Sequence, residues 1–253
     1  MPTTDGADPV TIYIKDVTAT GFKAAPAEPY NKDGPHPAWN PETISYIAVA
    51  PGSWELGGKR VQAGTKDTQI KKYNDAKTTS MSGNGAWDAI SFSGFSNAPA
   101  LLTQIQTVNN EADYEPDDYA KPFLTVACQD VSSGGAFVAL EQAEVANYDY
   151  GQVTTDETIG WIAMETGTGT FTSASGGTVT YAALYTARVF QGWSTANSVD
   201  FGVNMGTGSP LVIASQNSRH GNNGGWLRLK SRSSTSVTLV VDEDNKVDIP
   251  TYN

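Results

Sequence analysis

The chain has 253 residues, 25 of them glycine, only 17% charged residues and a formal net charge of −11. This acidity argues against nucleic acid or an anionic membrane as a partner, because both carry negative charge themselves. No apolar run approaches the 18 or more residues of a membrane-spanning helix, so no membrane insertion is predicted. The single cysteine, Cys128, excludes an intrachain disulfide.

The first predicted elements are two strands joined by a tight turn. Residues 10–15 alternate between apolar and other side chains, which is the period of a half-buried strand. Residues 16–21 end in a glycine and predict a turn, and Phe22 begins the second strand. Five prolines then predict a loop over 26–41. Residues 42–50 are predicted to form a third strand.

The middle of the chain begins with a polar stretch over 53–86, which predicts a connection with room for one hairpin. Residues 137–144 have apolar side chains at helical spacing, but their place after a turn like the first one favours a strand. A Gly/Ser/Thr-rich linker is predicted over 166–178. The other predicted strands are 87–95, 100–108, 123–129, 157–165, 179–190, 199–203, 211–214, 226–232 and 237–241.

One strand sequence occurs twice, and we call it the Glu-Thr-Ile segment. Residues 157–167 read Glu-Thr-Ile-Gly-Trp-Ile-Ala-Met-Glu-Thr-Gly, and residues 42–52 read Glu-Thr-Ile-Ser-Tyr-Ile-Ala-Val-Ala-Pro-Gly. Both copies share Glu-Thr-Ile, an aromatic residue, Ile-Ala, an apolar residue and a closing glycine. A match of this length indicates an internal repeat.

The strand–turn–strand unit recurs as well. The sequences Ile12-Tyr-Ile-Lys-Asp-Val-Thr18, Val126-Ala-Cys-Gln-Asp-Val-Ser132 and Leu227-Arg-Leu-Lys-Ser-Arg-Ser233 align without gaps. The stretch Pro210-Leu-Val-Ile213 also resembles Pro99-Ala-Leu-Leu102. Only the middle copy is complete, because the first lacks its leading strands and the third lacks the Glu-Thr-Ile segment.

The predicted fold is therefore all-β, with tandem antiparallel sandwich units over 1–60, 87–167 and 168–253 and a connection over 61–86. An incomplete unit cannot bury its own apolar face. Three interpretations remain open. The two incomplete units pair with each other, they pair with a neighbouring subunit, or the chain is a slice of a longer array.

The complete unit resembles the H-type lectin domain, a small antiparallel β-sandwich, and similar tandem modules of secreted marine bacterial polysaccharide-binding and polysaccharide-degrading proteins. The resemblance implies a trimer that binds galactose-type sugars at subunit interfaces. The proline-rich loop and the tandem arrangement depart from the family pattern. The residues that carry the resemblance are Asp16-Val17-Thr18-Ala19-Thr20-Gly21-Phe22, Asp130-Val131-Ser132 with Gly135 and Phe137, Ile44-Ser45-Tyr46-Ile47-Ala48 and Ile159-Gly160-Trp161-Ile162-Ala163.

A row of basic and aromatic side chains is the candidate binding site. The internal alignment places Tyr13 and Lys15 on an outer face, and in the third unit the same face carries a platform for an anionic or sulfated glycan. The alternative is an edge strand protected by charge, or a contact with acidic loops. Loop tyrosines are further candidates for stacking on sugar rings. The candidate residues are Trp226, Arg228, Lys230 and Arg232, with Arg219, His220, Tyr114 and Tyr119.

The sequence gives weaker support for a metal site or a catalytic site than for a glycan-binding site. The acidic run 111–118 has oxygen ligands of the kind that calcium binds, but it lacks the spacing of a calcium loop, so no cofactor is predicted. Cys128 aligns with inward-facing residues, which indicates a core thiol. His36 and His220 are the only histidines, and no nucleophile motif accompanies them.

These patterns predict a noncatalytic carbohydrate-binding protein for an acidic or galactose-type polysaccharide, outside the cell or at its surface. Self-association and a glycan are the expected partners. The alternative is a structural repeat protein of a surface, virion or filament, in which subunits exchange strands. A polysaccharide lyase or hydrolase is a third interpretation, which would need a paired acid and base that the sequence does not single out.

Overall fold

The chain is all-β throughout the part that the computed structural model describes, which confirms the predicted fold class. That part comprises residues 11–27, 43–73, 82–83, 87–111, 122–142, 153–187, 189–190, 192, 197–218 and 225–243. It contains no helix of any kind, and therefore none that could cross a membrane. Its strands are β1 (Thr11–Lys15), β2 (Lys23–Ala27), β3 (Gly52–Leu56), β4 (Lys59–Thr68), β5 (Lys71–Tyr73), β6 (Ser82–Gly83), β7 (Asp88–Ser91), β8 (Ala100–Ile105), β9 (Leu124–Gln129), β10 (Gly135–Gln142), β11 (Glu157–Met164), β12 (Gly167–Thr172), β13 (Thr178–Ala183), β14 (Asn197–Asp200), β15 (Gly225–Arg232) and β16 (Ser236–Glu243).

Two sheets pack against each other around the middle unit, and both include strands from outside the predicted bounds 87–167. The front sheet has the order β3-β4-β11-β8 and is antiparallel throughout. In the back sheet β10 pairs with β9 on one side and with β7 and β5 on the other, and only the β5 pairing is parallel. The core between them is built from both sheets: Leu101, Ile105, Ile159 and Ala163 from the front, and Ile90, Leu124, Cys128, Val138 and Leu140 from the back.

The predicted polar connection over 61–86 carries a central strand of the front sheet. β4 lies between β3 and β11, with Val61 opposite Met164 and Ala63 opposite Ile162. The sequence did not indicate this strand because β4 contains lysines, a glutamine and threonines, whereas central strands are usually more apolar. Gly64 is required there, because a Cβ at that position would lie 2.7 Å from Cζ2 of Trp161.

The predicted linker over 166–178 is also structured. β12 and β13 form an antiparallel hairpin, so the linker prediction is wrong. The Tyr181 hydroxyl donates a hydrogen bond of 2.9 Å to the Leu56 carbonyl oxygen, which ties the hairpin to the β3–β4 turn. Glycine and threonine alternate along β12, and such small side chains give little apolar signal of a strand.

The three aligned strand–turn–strand copies all form antiparallel hairpins, and the third differs by a register shift between Leu229 and Ser231. They are β1–β2, β9–β10 and β15–β16, and the aligned pairs Ile14–Ala24, Cys128–Val138 and Leu229–Leu239 lie directly opposite each other. Each turn closes with a backbone hydrogen bond from a Ser or Thr to the residue three positions later. The donors and acceptors are Thr18 to Gly21 (2.8 Å), Ser132 to Gly135 (2.9 Å) and Ser233 to Ser236 (2.8 Å).

The two copies of the Glu-Thr-Ile segment differ completely in structure. The second copy is β11, in the interior of the front sheet. The first copy, described over 43–50, forms no strand, so that prediction is wrong. No backbone hydrogen bond joins these residues to any other described residue. A strand needs a partner for its backbone groups, and none of the described segments supplies one.

The third unit contains most of the middle unit. Its sheet has the order β14-β16-β15, which we call the terminal sheet, and β14 takes the place of β7. The Phe201 amide donates to the Thr235 carbonyl (2.8 Å) just as the Phe92 amide donates to the Gly134 carbonyl (3.1 Å). Its core includes Phe201, Leu229, Val237 and Leu239.

The counterpart of β8 in the third unit, residues 210–216, is not a strand, contrary to the prediction over 211–214. Val212 and Ala214 nevertheless pack against the core of the terminal sheet. The Ser215 hydroxyl accepts from the Thr103 amide at 3.0 Å, and the Asn217 side-chain amide donates to the Leu101 carbonyl at 2.9 Å. The segment therefore runs antiparallel to β8, along its free edge.

Three aromatic side chains, one from each unit, pack together in a cluster that we call the aromatic joint: Tyr13, Phe123 and Trp226. The ring of Phe123 lies 5.3 Å from that of Tyr13 and 5.6 Å from that of Trp226, and all three side chains are buried. Tyr13 therefore does not lie on an outer face as predicted. Among the described residues β1 and β2 pair only with each other, so the outer units meet through side chains and not through backbone pairing.

Candidate functional site

The predicted basic row does not form an open platform. Trp226 is 7% exposed and packs on Phe123, and Arg228 is fully buried. Lys230 is exposed and Arg232 is half-buried. The expectation of one outward face is wrong, because the strand faces the aromatic joint and its register shifts between Leu229 and Ser231.

Arg228 has a structural partner in the terminal sheet. Its Nη1 lies 2.8 Å from Oδ2 of Asp242, and both side chains are buried. A buried guanidinium is tolerated when a carboxylate neutralises it. The remaining candidates, Arg219, His220, Tyr114 and Tyr119, lie outside the described residues.

A buried pair of carboxyl groups holds the end of β8 to the start of β11. Glu157 accepts hydrogen bonds from the amides of Asn109 (2.8 Å) and Asn110 (2.9 Å), and from the Thr107 hydroxyl. Glu111 accepts one from the Leu124 amide at 3.2 Å. Burial, followed by repulsion from the Glu157 carboxylate, raises the pKa of Glu111 well above its usual range.

This carboxyl pair is a structural feature in the described region. Every Glu157 contact holds a loop or a strand end, and burial together with Glu111 raises the pKa of Tyr13 well above its usual value. Only Glu111 of the acidic run 111–118 is described, and no group of three or more His, Cys, Asp or Glu side chains suited to a metal ion occurs in the described part of the chain.

Cys128 is a core residue, as predicted. It is buried between the two sheets of the middle unit. Burial, with the nearby Asp130 carboxylate, raises the pKa of the thiol to about 12. The thiol therefore stays protonated at neutral pH and is a poor nucleophile.

An apolar cleft of about 1820 Å³ lies between the front and terminal sheets. Ile162 and Met164 line its floor, because they point away from the middle core that Ile159 and Ala163 enter. Leu239 and Phe201 of the terminal core form the opposite wall.

Exposed apolar side chains surround this cleft. Tyr46 is 61% exposed and Leu211 is 75% exposed, and Ile47, Val49 and Tyr185 are also open to solvent. None of these residues belongs to the binding site predicted from the sequence. A signal for them existed, because the third unit lacks a Glu-Thr-Ile segment and a core without one strand must be left open.

The chain is similar to Halomucin of Haloquadratum walsbyi, with 27% identity over 238 residues. The match covers 91% of this chain but only 2% of Halomucin. No protein-family model matches the chain, and no solved structure matches it, so the resemblance to the H-type lectin domain stays a prediction. By sequence, the chain is thus similar to a small part of a very long protein.

Proposed function

We propose that this protein is a noncatalytic structural module that assembles with other modules through its open β units. One observation carries the proposal. The third unit has counterparts of β7, β9 and β10 and a segment in the place of β8, but no described segment in the place of β11, and its core faces the apolar cleft of about 1820 Å³.

The rim of the cleft supports assembly. Tyr46, Ile47, Val49 and Leu211 expose apolar surface around one cavity, and apolar surface of this kind marks interaction sites in soluble proteins. Residues 43–50 also present backbone groups that no other described residue pairs with, which favours the addition of a strand. The assembled state buries both the side chains and the backbone.

The similarity to 2% of Halomucin supports a modular role, since a unit of this size occurs there within a much longer chain. An extracellular or cell-surface location is part of the same proposal. A net charge of −11 suits salty surroundings, because ions there screen the repulsion between acidic modules.

Sedimentation velocity over a wide range of protein concentration, in 0.15 M and 2 M NaCl, tests the proposal. We expect a monomer at low concentration that converts to oligomers as concentration and salt rise. A monomer under all of these conditions would overturn assembly as the function.

Glycan binding is the second candidate, and the exposed aromatic side chains of the cleft favour it. Tyr46, Trp54 and Tyr185 line the cleft and are exposed, and aromatic faces of this kind stack on sugar rings. Affinity electrophoresis in agarose, carrageenan, alginate and neutral xylan gels tests this candidate. We expect a galactan to retard the protein and the Trp54→Ala variant to lose the retardation. The Lys230→Ala variant tests the predicted basic row, and retardation by none of the polymers rejects glycan binding.

A further inference from the structure

The middle unit shows what covers a core of this kind. There β11 pairs with β8, with Met164 opposite Ala100 and Ala163 opposite Leu101. Ile159 and Ala163 of β11 are fully buried over the back sheet. Without β11, the core that contains Cys128 and its neighbours would open to solvent.

The third unit has the same arrangement without that strand. Residues 210–216 stand in the place of β8, and Val212 packs on the terminal core where Leu101 packs on the middle core. Leu239 corresponds to Val138 by the shared hairpin register. Both side chains are buried, but Leu239 is 4% exposed and lines the cleft, whereas Val138 is 0% exposed inside the middle core. No described segment takes the position of β11 in this unit.

Residues 43–50 carry the sequence of the missing strand. They read Thr-Ile-Ser-Tyr-Ile-Ala-Val-Ala, against Thr-Ile-Gly-Trp-Ile-Ala-Met-Glu in the copy that forms β11. Neither these residues nor 210–216 include a charged side chain, so pairing them brings no like charges together in a protein of net charge −11. Residues 43–50 thus match the sequence of the missing strand, and pairing them with residues 210–216 meets no charge repulsion.

We propose that residues 43–50 of a second copy of this chain pair antiparallel with residues 210–216 and cover the open core of the third unit. This inference rests on the proposed assembly function and names its partner. The register follows from the pairing of β11 with β8. It places Val49 opposite Leu211, Ala48 opposite Val212, Ile47 opposite Ile213 and Tyr46 opposite Ala214.

The tether of the segment identifies the partner as a second copy. Only Pro51 separates residues 43–50 from β3, which is the far edge of the front sheet. Along an open sheet, a strand on the free side of 210–216 would lie five strand spacings from β3, or about 24 Å. Val49 is three residues from Gly52, which spans about 10 Å at most. The segment of the same chain falls short of the position opposite Leu211, whereas that of a second copy has no such tether.

Disulfide trapping between two singly substituted proteins tests the pairing. Ile47→Cys protein is mixed with Ile213→Cys protein under mild oxidation, and each protein is also oxidised alone. A directly opposed antiparallel pair lies within the Cα separation that a disulfide needs. Cys128 is a poor competitor, because burial raises the pKa of its thiol to about 12.

We expect a disulfide-linked heterodimer in the mixture and not in either protein alone. The matched control is Ile47→Cys with Ala214→Cys, whose side chains point to opposite faces in the proposed register and should not link. Circular dichroism of the reduced variants checks that each is folded. Equal linking of the control and test pairs would overturn the register.

Two further results would reject the proposed pairing, and they differ in whether the proposed assembly function survives. Oligomers in sedimentation without the heterodimer would reject these segments but keep the assembly function. Monomers without any heterodimer would reject both. A double variant with Ile47→Cys and Ile213→Cys gives a third check, because an internal disulfide in a monomer would mean that the chain closes its own cleft.

Discussion

The two copies of the Glu-Thr-Ile segment have nearly the same sequence and opposite structures. β11 lies between β4 and β8, and Ile159 and Ala163 are fully buried. Residues 43–50 form no strand, and Tyr46 is 61% exposed where its counterpart Trp161 packs against the middle core. Local alternation is therefore not sufficient to make a strand.

The difference lies in the neighbours. β11 has two antiparallel partners, and the Glu157 carboxylate at its start is held by amides of the loop after β8. The first copy follows a hairpin that pairs only with itself among the described residues. A strand gains stability from cross-strand pairs and burial, so its structure depends on segments that are distant in sequence.

The largest difference in stability between the two copies is expected when a charged side chain is placed at equivalent positions of each. We expect Ala163→Asp to lower the free energy of unfolding by about 4 kcal/mol or more, because it places an unpaired carboxylate in the middle core. Ala48→Asp, at the equivalent exposed position, should leave the monomer folded and abolish its assembly. Urea denaturation and sedimentation measure the two effects. Equal destabilisation by both substitutions would mean that 43–50 is already a core strand in the monomer.

A smaller difference in stability is expected when an isoleucine side chain is truncated at equivalent positions of the two copies. Ile159→Ala removes a fully buried side chain and should cost about 3 kcal/mol. Ile44→Ala, at the half-buried counterpart, should cost less than about 1 kcal/mol in dilute protein. Thermal and urea unfolding at low concentration give both values. If the Ile44→Ala penalty grows with protein concentration, the segment becomes buried on assembly.

The carboxyl pair beside β11 should make stability depend on pH. Burial and the Glu157 charge raise the pKa of Glu111 in the folded protein, so folding favours the protonated form. The stabilisation from this proton is complete below the ordinary glutamate pKa and is lost as pH rises through the raised value. We expect Glu111→Gln to raise stability at neutral pH and to flatten the dependence on pH.

Urea denaturation of the Glu111→Gln and native proteins between pH 4 and pH 8 checks this expectation. An Asp156→Asn variant is the control, because Asp156 is exposed and its carboxylate bonds only the Gln69 side chain among the described residues. Parallel stability curves for the native and Glu111→Gln proteins would contradict the raised pKa.

The smallest expected effect concerns the residue after β11. Glu165 lies 2.9 Å from the Lys59 ammonium, which lowers the pKa of its carboxyl, and the first copy has Ala50 in the equivalent place. Glu165→Ala should reduce stability slightly at low salt and not at all in 2 M NaCl, because salt screens an exposed pair. Thermal melting in the two salts measures the difference, and a loss that persists at high salt would show that Glu165 acts through packing.

The hairpins could be predicted from sequence because their determinants are local. The Asp-Val-Thr and Asp-Val-Ser turns place a hydroxyl beside the chain three residues on, and Asp16 and Asp130 both adopt positive φ angles of 54° and 53°. The buried position of Cys128 followed from alternation in the same hairpin. Local geometry of this kind needs no knowledge of distant segments.

The candidate site was not predictable by the same means. Alternation placed Trp226 and Arg228 on an outer face, but Trp226 packs on Phe123 and Arg228 is buried beside Asp242. β4 was hidden by its polar composition and is a strand because β3 and β11 flank it. The apolar cleft is formed by residues from three parts of the chain that no periodic pattern connects.

By itself, the sequence determined the all-β class, the three strand–turn–strand hairpins, and the absence of a Glu-Thr-Ile segment from the third unit. These properties depend on short-range alternation, on turn chemistry and on internal repetition. Only the tertiary structure decided which copy of the Glu-Thr-Ile segment becomes a strand and where the missing strand leaves an opening. The physical reason is that backbone pairing is supplied by partners distant in sequence, and 43–50 has no backbone partner among the described residues.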